Sequence, residues 1–184
     1  MESSAATRRQ RVRRTLARVF AGWQTGLPRP VFVLQAGTAV NYFGTGLILP
    51  FEIIYLHQAR GFPTATAGLV LATVMGTAAV VTPPSGALLD RFRAKPILII
   101  GNLASALGYA CFAFVNRPWQ AFGCSAVGGA GFGVAITANQ VLSLTLVSAG
   151  QRASSIALRR VAGNFGLGLG ASVAGFIIAS ADHL

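Results

Sequence analysis

The chain has 184 residues, of which 53% are hydrophobic and only 10% are charged, with 22 glycines and a net charge of +11. So apolar and acid-poor a composition places it among membrane proteins rather than soluble domains. With only 4 acids, and with His57 and His183 both at the outer boundary, it holds little from which to assemble hydrolytic or redox chemistry.

In chain order, the residues before Arg8 are small and polar and are expected to be disordered. From Arg8 onward Val12, Leu16, Val19, Phe20 and Trp23 recur at helical spacing with arginines on the other faces, the pattern of an amphipathic helix on an anionic membrane surface. An arginine-rich tail that only holds the N-terminus inside fits the same residues. No small-residue cleavage site marks a secretory signal, although organellar transit peptides share the arginine-rich, acid-poor character. Residues 1–30 are therefore assigned as a basic cytoplasmic tail.

About 20 mostly apolar residues cross a bilayer core, and five segments qualify: 31–56, 65–89, 96–115, 119–147 and 161–180. In lipid each must satisfy its own backbone hydrogen bonds, so the expectation is an all-α, polytopic transmembrane bundle. Between them lie short loops at 57–64, 90–95 and 116–118 and a longer connection at 148–160, which predict that consecutive helices are antiparallel neighbours. Pro50, Pro83 and Pro84 fall inside spans, where each removes a backbone donor and should bend or loosen its helix.

Sidedness comes from the cations. With a cytoplasmic N-terminus, all but Arg60 and Arg117 of the 15 fall on the inner side, in three clusters at alternate loops. That asymmetry predicts an N-in, C-out topology in a cell inner membrane. It also argues against a nucleic-acid partner, whose footprint gathers cations on one face with interleaved aromatics. Cys111 and Cys124 lie in apolar runs with no further cysteine or histidine to complete a metal set, and a disulfide between neighbouring third and fourth helices stays open. No catalytic residue, metal or cofactor is expected.

Glycine is the main packing signal. Gly128, Gly129, Gly131 and Gly133 crowd the fourth span, while Gly163, Gly166, Gly168, Gly170 and Gly175 crowd the fifth. Gly166 and Gly170 have the GxxxG spacing of close helix contacts. Glu52 is the only acid within a span, a default candidate for proton carriage one turn from the outer end. Gln35, Asn41, Asn102, Asn139, Gln140 and Asn164 are uncharged candidates for a substrate path or for bonds between helices, and Asn41 is preferred because it sits mid-span among small residues.

The turn at residues 86–95 carries Gly86, Asp90, Arg91 and Lys95, with Leu88 also in register. It resembles the signature between the second and third helices of major facilitator superfamily transporters, with Arg93 where a second glycine is usual and Ala94 where a cation is. Gly166, Gly170 and Gly175 are similar to the glycine-rich motif of that family's drug/proton antiporters, with Ala171 in place of a proline and Ala174 of a glycine. Asn41, Gly44, Gly46 and residues 50–56 are similar to the opening helix of bacterial efflux-type members, whereas Cys124 and Ser125 stand where many antiporters carry an arginine.

The resemblance implies that residues 31–184 are part of the first of two six-helix halves, each built from inverted three-helix repeats, with the substrate site between the halves. It implies transport of a small molecule, inward or outward and with ion coupling, by rocking of one half on the other; proton carriage by Glu52 is expected from its place within a span and not from the resemblance. Asp90 would act as a conformational latch, bonding Arg91 or a helix of the missing half. The missing C-terminal half, or another chain, would then be needed for transport. The alternative from another class is a non-transporting membrane scaffold or partner-binding subunit derived from a transporter.

Overall fold

Prolines mark where the helices start. Pro30 and Pro118 stand in the first turn of their helices, Pro28 and Pro63 immediately before one, all positions where a missing N–H costs no intrahelical bond. The computed structural model describes residues 26–181 and has five long helices: α1 (Arg29–Ile54), α2 (Thr64–Arg91), α3 (Ala94–Cys111), α4 (Pro118–Thr145) and α5 (Arg152–Ala181). All five, with their short end turns, are long and apolar enough to cross a membrane, and no strand occurs among the described residues. The chain is thus an all-α transmembrane bundle. The expected amphipathic helix in the basic tail lies outside the described residues.

Pro50, Pro83 and Pro84 are carried within continuous helices. About one turn beyond Pro50, α1 widens into a π-helical turn (Tyr55–Ala59). It stops at Gly61, whose φ of 68° is the left-handed conformation that lets the Phe62 amide donate back to the Leu56 carbonyl at 2.9 Å. The predicted long connection at 148–160 is a correction. A short 3-10 turn (Ala149–Gln151) runs directly into α5, so Arg152, Arg159 and Arg160 sit on helix. Arginine is a good helix former whose long stem tolerates the membrane boundary, so a charged segment need not be a loop.

The packing also departs from the expected neighbour order. Of the consecutive pairs only α3 and α4 pack along their length; the other broad contacts are α1 with α5 and α2 with α4. The bundle is therefore a pair, α1 and α5, beside a triple in which α4 stands between α2 and α3. Short loops dictate direction and proximity of helix ends, but the fit of helix faces dictates who packs with whom.

Glycines set that fit. On α4, Gly129 and Gly133 lie against the backbone of Val74 and Ala78 of α2, whereas Gly128 and Gly131 face Gly101, Ser105 and Gly108 of α3. On α5, Gly166 meets the Ala39 backbone and Gly170 the Phe43 and Leu47 backbone of α1, while Gly46 of α1 meets Leu167 in return. A Cβ at any of these glycines except Gly128, where it would make only ordinary contact with Gly108, would collide with main chain. Gly175, expected in the same contact, is exposed with open space around it. The stripe that begins at Gly166 and Gly170 continues through Ala174, which is 0% exposed, and residue 175 is turned about 100° away.

Pair and triple are joined by polar bonds at one end and an apolar cluster at the other. Gln35 Nε2 donates to Ser143 Oγ and Asn139 Nδ2 donates to Thr38 Oγ1, both at 3.1 Å, and Asn41 Nδ2 donates to Asn102 Oδ1 at 3.2 Å. At the opposite end Leu56, Phe62, Val70, Phe112 and Val115 form a buried cluster across α1, α2 and α3. Arg60 closes it, donating to Tyr55 Oη at 2.7 Å, Asn116 Oδ1 at 2.8 Å and the Ala113 carbonyl at 3.0 Å. Large apolar side chains such as Val33, Val80, Phe114 and Phe176 point outward, the orientation that lipid rather than water favours.

The two glycine environments give a test. Gly170→Leu is expected to cost about 1 to 3 kcal/mol by forcing α1 from α5, read as a lower unfolding midpoint of the detergent-purified chain. Gly175→Leu is expected to stay within about 0.5 kcal/mol of the parent; equal losses at both positions would show that the stripe does not run as described.

Candidate functional site

Glu52 is carried on the last regular turn of α1, just before the π-helical turn. Leu47, Ile48, Phe51 and Tyr55 share its side of the helix, and Tyr109, Phe112 and Ala113 close over from α3. Together they line a cavity of about 520 Å³. Glu52 is 6% exposed, and neither carboxyl oxygen has a hydrogen-bond partner among the described residues. A carboxyl group in apolar surroundings needs a proton or a cation as its partner. The cavity thus offers aromatic and aliphatic surface around one acid, a site suited to binding a small apolar cation or to holding a proton.

The turn between α2 and α3 is built differently. Asp90, Arg91, Arg93 and Lys95 are all exposed, and Gly86 has open space on its side of α2. Asp90 makes no ion pair among the described residues. It sits in the last turn of α2, where the partial negative charge of the helix end opposes a carboxylate and favours Arg91. The acid is therefore held where its own helix stabilises it least, with its oxygens free for another partner.

Asn41, the preferred path residue, is exposed and bonded across to Asn102. It lines a second cavity of about 260 Å³ between α1, α3 and α4, shared with Thr38, Asn102, Asn139 and Arg159. Of the uncharged candidates, Gln35, Asn41, Asn102 and Asn139 come together in one hydrogen-bonded seam, while Gln140 is exposed. Asn41 and Glu52 do not converge: about three turns of α1 separate them, and they line different cavities.

Sequence reasoning missed Tyr109, the only tyrosine on α3, and the serines and threonines of the seam. A single tyrosine in an apolar span is a usable signal, because its hydroxyl needs a polar neighbour. Thr38 and Ser143 carried no such signal, since both residue types bond readily within their own helix. Cys111 and Cys124 are free thiols.

The family model for the Major Facilitator Superfamily matches residues 34–182. An uncharacterized MFS-type transporter, YttB of Bacillus subtilis, is 27% identical over 155 residues, covering 82% of this chain and 38% of the relative. The multidrug resistance protein MdtH of Proteus mirabilis is 33% identical over 100 residues, 47% of this chain and 24% of the relative. The methyl viologen resistance protein SmvA of Salmonella typhimurium is 27% identical over 150 residues, 79% of this chain and 30% of the relative. The chain spans well under half the length of these relatives. With five membrane-length helices and a family match over most of its length, this chain is a multi-pass membrane protein belonging to the major facilitator superfamily.

Proposed function

We propose that this chain is the N-terminal part of a secondary transporter that expels a small, apolar cation from the cell in exchange for protons. The observation that carries this reading is the buried, unpartnered Glu52 carboxyl in its apolar cavity. One carboxylate that accepts either a proton or an organic cation, but not both, exchanges the two by simple competition. The names of two relatives, a multidrug and a methyl viologen resistance protein, support the substrate class, since viologens are flat aromatic cations. Transport requires a second wall for the path, from the C-terminal half or from another chain, against which these helices rock.

In the same reading the protein lies in the inner membrane with its N-terminus in the cytoplasm, and Asp90 is a latch. Arg91, Arg93 and Lys95 stay at the inner surface, where anionic lipid favours them. Asp90 bonds a helix of the second half in one conformation and releases it in the other.

Three measurements test this. In vesicles holding the complete protein, Glu52→Gln is expected to abolish the dependence of methyl viologen transport on an imposed pH gradient; an unchanged gradient response removes Glu52 as the exchange site. Asp90→Asn is expected to slow transport about tenfold, equivalent to about 1.4 kcal/mol in the barrier, with insertion and yield intact; a parental rate eliminates the latch. A cysteine at Arg93, with Cys111 and Cys124 replaced by serine, should react with a membrane-impermeant maleimide only after cells are opened. Labelling of intact cells would reverse the topology.

A further inference from the structure

Arg159 stands out among the described cations because it borders two cavities with no hydrogen-bond partner among the described residues, whereas Arg60, the other half-buried one, makes three hydrogen bonds. Arg159 is half-buried and lines two adjoining cavities, the one of about 260 Å³ beside Asn41 and another of about 130 Å³ bounded by Thr38, Tyr42, Arg160, Gly163 and Asn164. Thr38 is about nine residues into α1 and Asn102 about eight into α3, so the cavity floor is roughly 12 Å from the helix starts at 1.5 Å per residue. Arg159 itself stands seven residues into α5, about 10 Å from the start of that helix, at nearly the same depth.

A guanidinium does not give up its proton, so this space is permanently positive and requires an anion to offset desolvation. Among the described residues none supplies it: Arg159 and Arg160 make no ion pair, Glu52 lines the other large cavity, and Asp90 is on the exposed turn after α2. The remaining polar lining is rich in donors. Asn164 contributes an amide and Tyr42 a hydroxyl, whereas the Thr38 hydroxyl is already donated to the Leu34 carbonyl, and Leu34, Leu98 and Phe132 give the larger cavity an apolar side.

We infer that Arg159, with the exposed Arg160 at the mouth, forms an anion-binding site for a phosphate group, with Tyr42 and Asn164 as neutral partners. The arrangement suits a forked, charge-assisted pairing of guanidinium with phosphate oxygens. The apolar side of the adjoining cavity accommodates a short chain attached to that phosphate. The phosphate can come from an anionic lipid headgroup entering from the surrounding leaflet or from a soluble phosphate compound. This inference is independent of Glu52, which lies at the other end of α1.

The test uses the whole chain purified in a neutral detergent, its unfolding midpoint followed against inorganic phosphate, dihexanoyl phosphatidylglycerol and dihexanoyl phosphatidylcholine. A saturable rise with phosphatidylglycerol but not phosphatidylcholine is expected, with the half-saturating concentration raised about tenfold or more in Arg159→Gln and unchanged in Arg60→Gln at the opposite end. Saturable stabilisation by inorganic phosphate as well identifies a soluble source; stabilisation by the lipid alone identifies the headgroup. The site is refuted if neither probe stabilises the parent, or if Arg159→Gln responds as the parent does. Should Arg159→Gln fail to fold, native mass spectrometry decides: retained phosphatidylglycerol adducts in the parent that weaken in Arg160→Gln support the site, and adducts equal in both reject it.

Discussion

Close approach of bare backbone is the contact on which this bundle depends. Apolar side chains gain nothing by leaving lipid for one another, so helices in hydrocarbon associate through van der Waals contact and a few hydrogen bonds. Here the close contacts are made where glycine removes the side chain: Gly129 and Gly133 toward α2, Gly128 and Gly131 toward α3, and Gly166, Gly170 and Gly46 between α1 and α5. The weaker features follow from these. Bonds at 3.1 Å between Gln35 and Ser143, or Asn139 and Thr38, form only if each helix is already held at the right depth and rotation.

The division into a tight pair and a tight triple explains where the polar groups and cavities lie. Within each unit, main chain fills the interface at the glycine contacts, and the cavity of about 130 Å³ between α1 and α5 lies to the N-terminal side of that stripe on α5. Between the units, contact is carried by short polar side chains at one end and by the Leu56 and Phe112 cluster, closed by Arg60, at the other. Each such interhelical hydrogen bond is worth about 0.6 kcal/mol, far less than a packed face, so the seam is the part of the structure most easily rearranged. Both the Glu52 cavity and the larger Arg159 cavity open along it. Glu52 and Arg159 thus stand toward opposite ends of one seam, and neither has an ion-pair partner among the described residues.

Much of the architecture was legible in the sequence because it is decided segment by segment. Hydropathy over 31–56, 65–89, 96–115 and 119–147 locates spans that the helices reproduce to within a few residues, since a chain in lipid must bond its backbone locally. Gly166 and Gly170 were also readable as a contact from spacing alone. The same logic failed where charge was equated with loop, as at 148–160, because arginine extends a helix as readily as it ends a span.

What the residues by themselves determined, then, is the number, character and approximate limits of the membrane helices, together with the position of the charged turn after α2. The tertiary structure alone decided that α1 seeks α5 rather than α2, that Ala174 and not Gly175 continues the glycine stripe, that Asn41 bonds Asn102, and that Arg159 borders two cavities. The physical reason is that these depend on how each helix is rotated about its own axis. That rotation is set by the fit of two backbones distant in the chain, for which no single segment carries the information.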